Sequence, residues 1–121
     1  MHELSIANSI VETVLQEIEN KQLPPVQRIV VRVGVLSGVV PEALQFGFEA
    51  ITRETPLENT RLVLEIIPIQ GRCQACGRDF EVEEWVFACP YCHSGKIKVI
   101  HGEELDIAYL EVEENETPAQ S

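Results

Sequence analysis

Apolar residues recur every three or four positions along the first part of the chain. This period places them on one side of an amphipathic helix, with the glutamates and glutamines largely opposite. Pro24 and Pro25 then stop the helix, because proline lacks the amide hydrogen that a helix interior requires. The pattern predicts a helix over residues 4–21 with an apolar stripe of Leu4, Ile6, Ala7, Ile10, Val11, Val14, Leu15 and Ile18.

Three apolar runs predict β-strands over residues 26–36, 61–69 and 103–113. β-branched residues fill the first run, which indicates a well-buried strand, and Arg28 and Arg32 share one face that we expect to be partly wet or covered by acids. The first two strands enclose a helix, so a right-handed parallel crossover is expected. The third strand is predicted antiparallel to the second, with the intervening segment inserted like a long hairpin loop.

A second helix is predicted to begin at Pro41, where a missing amide hydrogen costs nothing. Gly47 lies in its middle and allows another element to approach closely. The apolar stripe of this helix consists of Leu44, Phe48 and Ile51.

Four cysteines form a C-x2-C-x12-C-x2-C motif made of Cys73, Cys76, Cys89 and Cys92. Each two-residue gap lets one turn direct two thiolates at one ion, and four thiolates at tetrahedral positions suit Zn2+. Disulfides are favoured in secreted mini-proteins, and a redox C-x-x-C pair normally stands alone. The matched pairs therefore predict a four-cysteine zinc site, which is closed and structural and does not by itself reveal the function.

The residues between the two cysteine pairs predict a hairpin that packs around the ion. Its apolar residues are expected to form the core of a small lobe, and Trp85 is assigned to that core rather than to a stacking platform. The residues in question are Phe80, Val82, Trp85, Val86 and Phe87.

Together these elements predict an α+β fold: a small two-helix, three-stranded mixed sheet domain with an inserted zinc-ribbon-like lobe. The α/β domain is assigned to residues 1–70 plus 101–113, and the zinc lobe to residues 71–100. Residues 114–121 are expected to form a flexible acidic tail.

The net charge of −11 argues against nucleic-acid binding, because such a protein needs a basic face to displace counterions. No apolar run approaches the roughly 18 residues of a membrane span, so no membrane role is expected. Cysteines confined to a metal motif, with no signal peptide, indicate the reducing cytoplasm. No phosphate-binding loop or nucleophile motif is present, so no enzymatic activity is predicted.

The opening Met1-His2-Glu3 offers an amine, backbone amides, an imidazole and a carboxylate within three residues. Ni2+ and Cu2+ bind such nitrogen donors strongly and accept a planar arrangement. The helix dipole disfavours a cation at this end, and a terminal histidine is more often simply solvated. From these residues alone the metal site and the solvated histidine both stay open.

The sequence resembles the HypA/HybF hydrogenase nickel-incorporation proteins. The resemblance covers residues 1 to about 113, and each motif alone is less specific than the combination. Its marks are the opening MHELSIANSI, the stretch GVLSGVVPEALQFGFEA, the CQACG and CPYC knuckles, and the close GEELDIAYLEVEE.

This resemblance implies a nickel metallochaperone that loads Ni2+, its cargo, into the large-subunit precursor of [NiFe]-hydrogenase. It implies His2 as the principal nickel ligand, with Glu3 and the amine or amides of Met1 to Glu3 beside it, and structural Zn2+ on the four cysteines. A nickel-handling GTPase, HypB, is the implied partner, and some family members also serve urease maturation. The alternative is a zinc-stabilised adaptor for maturation partners without its own nickel site. Whether His93 or His101 joins a metal site stays open.

Overall fold

The computed structural model describes residues 3–113. Met1 and His2 of the predicted nickel segment and the predicted tail, 114–121, lie outside the described residues. Within the described chain there are two α-helices and two three-stranded sheets. The elements are α1 (Glu3–Lys21), β1 (Val26–Gly34), a short 3-10 helix (Val35–Ser37), α2 (Pro41–Ile51), β2 (Arg61–Ile67), β3 (Gln70–Cys73), β4 (Asp79–Glu81), β5 (Ile97–His101) and β6 (Leu105–Val112).

The larger sheet pairs β1 with β6 in antiparallel fashion. The amide of Gly34 donates to the carbonyl of Glu104 at 2.7 Å, and the amide of Glu113 donates to the carbonyl of Pro25 at 2.8 Å. The end of β1 therefore meets the beginning of β6, and the beginning of β1 meets the end of β6.

β1 is the central strand, because the strand order is β2-β1-β6. The third strand therefore runs antiparallel to the second, as expected, but it pairs with β1 and does not fold back beside β2 like the arm of a hairpin. β1, the most buried of the three strands, takes the central position, where both of its edges are paired, and the strands that flank it lie at the edges. The buried hydroxyl of Thr60 donates to the carbonyl of Val26 at 2.8 Å, so β2 and β1 begin at the same end of the sheet.

The core of the α/β part is formed by β1 and the two helices. Ile29, Val31 and Val33 alternate along β1, and all are at most 2% exposed. Gly47 of α2 lies against α1, but an added Cβ would meet the Leu4 side chain at 3.4 Å, an ordinary van der Waals distance, so this contact does not require glycine. The predicted helix stripes are confirmed at their centres by the buried residues Ile6, Ala7, Ile10, Val11, Val14, Leu44 and Phe48.

The two arginines of β1 are covered by acids of β6, as their shared face predicts. Nε of Arg28 donates to Glu111 at 2.7 Å, and Arg32 forms a bidentate pair with Asp106 at 2.8 and 2.9 Å. The Arg32 guanidinium holds the pKa of the Asp106 carboxyl below its usual value. Both pairs are partly exposed, so each contributes little net stability.

The chain divides into two compact units. The second unit contains the smaller sheet, of order β4-β3-β5, in which β3 pairs antiparallel with both neighbours. It is wider than the predicted lobe of 71–100, because it also takes in the ends of the strands that lead into the lobe. Among the described residues, the first unit takes in 3–31, 39–64 and 107–113, and the second takes in 32–38 and 65–106.

The core of the second unit is small and includes two of the cysteines. The prediction for Phe80 and Val82 is confirmed, since both are buried, but it is wrong for Trp85, Val86 and Phe87, which are exposed. The buried residues of this core come from β3, β4 and their surroundings, whereas the three residues before Ala88 lie at the surface. The core consists of Ile69, Cys73, Phe80, Val82 and Cys89, with Leu36 and Ile97 packed against them.

Candidate metal centre

The first cysteine pair is a tight turn in which backbone amides point at a sulfur. Sγ of Cys73 accepts hydrogen bonds from the amides of Ala75 at 3.3 Å and Cys76 at 3.4 Å. The amide of Gly77 closes the turn on the carbonyl of Cys73 at 2.8 Å. Amides directed at a sulfur stabilise its thiolate form.

The second pair repeats this construction residue for residue. Sγ of Cys89 accepts from the amides of Tyr91 at 3.3 Å and Cys92 at 3.4 Å. The amide of His93 closes the turn on the carbonyl of Cys89 at 2.8 Å. The two turns therefore form equivalent knuckles.

Both knuckles need a left-handed residue directly after the second cysteine. Gly77 fills this position in the first knuckle with φ 82°, and His93 fills it in the second with φ 66°. Glycine adopts this conformation without cost, whereas histidine carries a Cβ that disfavours it. His93 thus has a structural place in the turn.

The knuckles bring all four sulfurs together, with every pair of Sγ atoms within 4.8 Å. The Sγ atoms of Cys73 and Cys92 are 3.5 Å apart, and those of Cys76 and Cys89 are 3.6 Å apart. A zinc ion with bonds of about 2.3 Å to four tetrahedral sulfurs sets these separations at about 3.8 Å. The distances are far longer than a disulfide bond of about 2.05 Å, and all four cysteines are free.

Four thiolates in this space repel one another strongly. The Cys76 amide, with that of Ala75, lowers the pKa of Cys73 to about 6. The Ser94 amide lowers the pKa of Cys92, but the neighbouring Cys73 sulfur and burial outweigh it and raise that pKa to about 12. A divalent cation removes this conflict because it favours the thiolate form of every ligand. The cluster therefore fits a structural zinc site.

The sequence-predicted cysteines are thus brought together, and within residues 3–113 they are the one group of three or more His, Cys, Asp or Glu side chains placed to hold a metal. His93 is not in that group. The Nδ1 atom of His101 lies 2.8 Å from Oε2 of Glu104 instead. The sequence reasoning did not foresee this pairing, because nothing in the chain shows that the turn around Gly102 brings the two side chains together.

Of the predicted nickel segment, the described residues include only Glu3, the first residue of α1. Its Oε2 atom accepts a hydrogen bond from the amide of Val40 at 3.0 Å. Val40 directly precedes α2, so this contact joins the beginnings of the two helices. Sequence reasoning missed Val40, because the two residues are far apart in the chain and the bond uses a backbone amide.

A two-helix α+β fold that carries a four-thiolate lobe defines the class of this protein: a small zinc-ribbon-bearing protein whose zinc is structural. Within that class, the sequence identifies one family. The sequence model of the family described as hydrogenase/urease nickel incorporation, metallochaperone, HypA, matches residues 1–112, and the chain belongs to that family.

Curated relatives from this family are similar to the chain over nearly its whole length. The Hydrogenase maturation factor HypA of Geobacter metallireducens is 43% identical over 113 residues, which cover 93% of this chain and all of that protein. That of Geotalea uraniireducens is 41% identical with the same coverage. The chain is therefore a nickel metallochaperone of hydrogenase maturation.

Solved structures show the same fold. The solution structure of the Ni metallochaperone HypA from Helicobacter pylori aligns with a TM-score of 0.65 over 93% of this chain and 97% of that one, at 23% identity. A second solution structure of a HypA protein aligns with a TM-score of 0.71 over 93% and 96%, also at 23% identity. The predicted α+β fold with a zinc-ribbon-like lobe is confirmed. Among the described residues, no helix is both long and apolar enough to cross a membrane.

Proposed function

We propose that this metallochaperone carries its nickel at Met1, His2 and Glu3, with His2 as the principal ligand. The observation that carries the proposal is the family match, which begins at residue 1 and so includes this segment. Nitrogen donors from one short segment suit Ni2+. The Val40 amide restrains the Glu3 carboxylate beside them, which is the role that outer hydrogen bonds play for metal ligands.

A carrier of this kind needs a site that releases its ion. A segment of three residues leaves coordination positions that a receiving protein is able to fill, whereas a closed cage of four thiolates retains its metal. We therefore assign the two metals to separate duties: nickel is the cargo of the amino-terminal segment, and zinc is the permanent centre of the cysteine cluster.

The proposed partners follow from the family. Hydrogenase maturation implies contact with hydrogenase-related proteins, and we assign the large-subunit precursor as the recipient and a HypB-type GTPase as the nickel-handling partner. Urease maturation proteins are further proposed partners, because the family description includes urease. The sequence has no phosphate-binding loop, so we assign GTP hydrolysis to the partner and no catalysis to this chain. The cytoplasm is the proposed compartment, because its reducing conditions keep the four thiols available for zinc.

Isothermal titration of Ni2+ into the untagged, zinc-loaded protein tests the nickel site. We expect one site per chain in the parent protein and its loss in His2→Ala, with zinc content unchanged. His101→Ala is the matched control, since its partner is Glu104, and it should bind nickel as the parent does. Unchanged nickel binding in His2→Ala would refute the proposed site, and absence of binding in both proteins would favour the adaptor.

A further inference from the structure

The loop after β4 contains a tight turn at residues 83–86 whose central positions hold residues that are unusual for its type. The amide of Val86 donates to the carbonyl of Glu83 at 3.0 Å. The two central residues, Glu84 and Trp85, have φ values of 53° and 60°. Positive φ at both central positions defines a type I′ turn, which strongly prefers Asn-Gly. A tryptophan at the glycine position is unfavourable for the fold.

This turn displays apolar side chains to solvent. Trp85 is 62% exposed and Val86 is 57% exposed, and Phe87 follows at 38%. We call these three residues the apolar tip. Single exposed apolar residues are ordinary, but adjacent large ones on a strained turn indicate a surface that another molecule covers.

A groove of about 280 Å³ lies next to the tip in the same unit. Small-molecule pockets typically measure about 300–1,000 Å³, so this groove suits one or two side chains of a peptide better than a whole ligand. Its lining is apolar except for two carboxylates, and it consists of Phe80, Glu81, Glu83, Val86, Ala88 and Pro90.

The charged side chains that line the groove are acidic. Glu81 and Glu83 line it and no basic residue does. The nearest arginines in sequence have other contacts: Arg72 forms a bidentate pair with Asp79, and Arg78 stacks on Tyr91, with Cζ 4.7 Å from the ring centroid. The complementary ligand is therefore apolar with flanking positive charge.

We infer that the apolar tip and its groove are a docking site for a segment of a partner protein in which large apolar side chains are flanked by lysine or arginine. A second copy of this chain fits poorly, because each copy carries a net charge of −11. The same charge opposes nucleic acid and anionic membrane. The inference does not depend on where nickel binds.

The test uses the full-length, zinc-loaded protein and a short synthetic peptide whose central Leu-Phe pair is flanked by lysines. Trp85 is the only tryptophan of the chain, so its fluorescence reports directly on the tip. We expect a blue shift on titration, which shows that the indole leaves water. A peptide with glutamates in place of the lysines should give no shift.

Variants are compared by the anisotropy of the same peptide carrying fluorescein. Trp85→Gly suits the type I′ turn and should keep its zinc, yet weaken binding at least about tenfold, because a buried aromatic anchor dominates such contacts. The double variant Glu81→Gln with Glu83→Gln should weaken binding about threefold or more and reduce its salt dependence. Phe46→Gln is the matched control: Phe46 is an aromatic 75% exposed on α2, and its loss should not change binding.

Several outcomes would overturn the inference. It fails if the lysine peptide does not bind, or if the glutamate peptide binds equally well. It also fails if Trp85→Gly binds like the parent protein. A blue shift that grows with protein concentration in the absence of peptide would make a second copy the occupant instead.

Discussion

The backbones of Gly34 and Gly102 lie directly against each other. The amide of Leu36 donates to the carbonyl of Gly102 at 2.6 Å. A Cβ on Gly34 would overlap that carbonyl and lie 2.6 Å from the amide nitrogen of Glu103. Gly102 itself has φ 121°, a conformation that side chains rarely allow. Both residues are therefore glycine for reasons that only the folded chain shows.

Gly34→Ala is expected to destabilise the protein by about 3 kcal/mol, because the new methyl group meets backbone atoms that cannot move independently. Urea unfolding of the zinc-loaded protein measures the free energy of unfolding. Gly95→Ala is the control: no atom lies within 4 Å of its added Cβ, and its stability should change by less than about 0.5 kcal/mol. Equal stability of the two variants would contradict the close contact.

Substitutions directly after the two equivalent knuckles should have different effects on stability. Gly77→Ala should destabilise the zinc-bound lobe by about 1 kcal/mol, since the new Cβ is unfavourable at φ 82°. His93→Gly should leave stability unchanged or raise it by a few tenths of a kcal/mol, because it removes such a Cβ. Thermal unfolding and zinc retention against a chelator measure both. Loss of zinc from His93→Gly would instead make His93 a ligand.

Removal of zinc should unfold the lobe and spare the helices. The core of the lobe is small, and two of its residues, Cys73 and Cys89, are predicted ligands. A core of this size does not offset the conformational entropy of the lobe without the ion. Amide hydrogen exchange after chelation should show lost protection in β3, β4 and β5 and retained protection in α1. Protection retained throughout would show that the small sheet is stable without metal.

We expect Glu104 to make a contribution to the free energy of unfolding that is lost in acid. The hydrogen bond with His101, together with that from the Gly102 amide, lowers the pKa of Glu104 from 4.5 to about 2. A carboxyl whose folded pKa is lowered stabilises the protein above its unfolded pKa, and this contribution is lost as the pH falls from about 4.5 through about 2.

Glu104→Gln should therefore cost about 1–2 kcal/mol at neutral pH, and the difference from the parent protein should shrink below pH about 4.5. Chemical unfolding at a series of pH values measures that difference, and comparison with the parent cancels the acid release of zinc that both share. The exposed Glu103→Gln serves as the control. A difference that does not depend on pH would show that the carboxylate charge contributes nothing.

Local pattern predicted the helices and the cluster well. The apolar period of α1 and the proline at the beginning of α2 are properties of short segments, so the predicted helix over 4–21 differs from Glu3–Lys21 only at its first residue. The cysteine spacing likewise predicted the cluster, because a two-residue gap fixes each turn locally. The sequence indicated that acidic residues cover Arg28 and Arg32, but it did not show that these acids lie on β6.

The exposed tip and the strand order escaped prediction for one common reason. An aromatic residue after a strand favours burial on average, and nothing in the local sequence shows that Trp85 lies on a left-handed turn with its side chain exposed. The hairpin expectation for β6 likewise came from sequence order. β1 is the most buried of the three strands, and it took the central position of the sheet.

By itself, the sequence determined the helices, the cysteine knuckles and the family. Each depends on the identity and spacing of residues, because the interactions that form helices and turns act between residues close together in the chain. The tertiary structure alone decided the meeting of Gly34 with Gly102, the bond from Val40 to Glu3 and the exposure of Trp85. Those features depend on which distant segments compete for the same space, and that competition is resolved only when the chain packs.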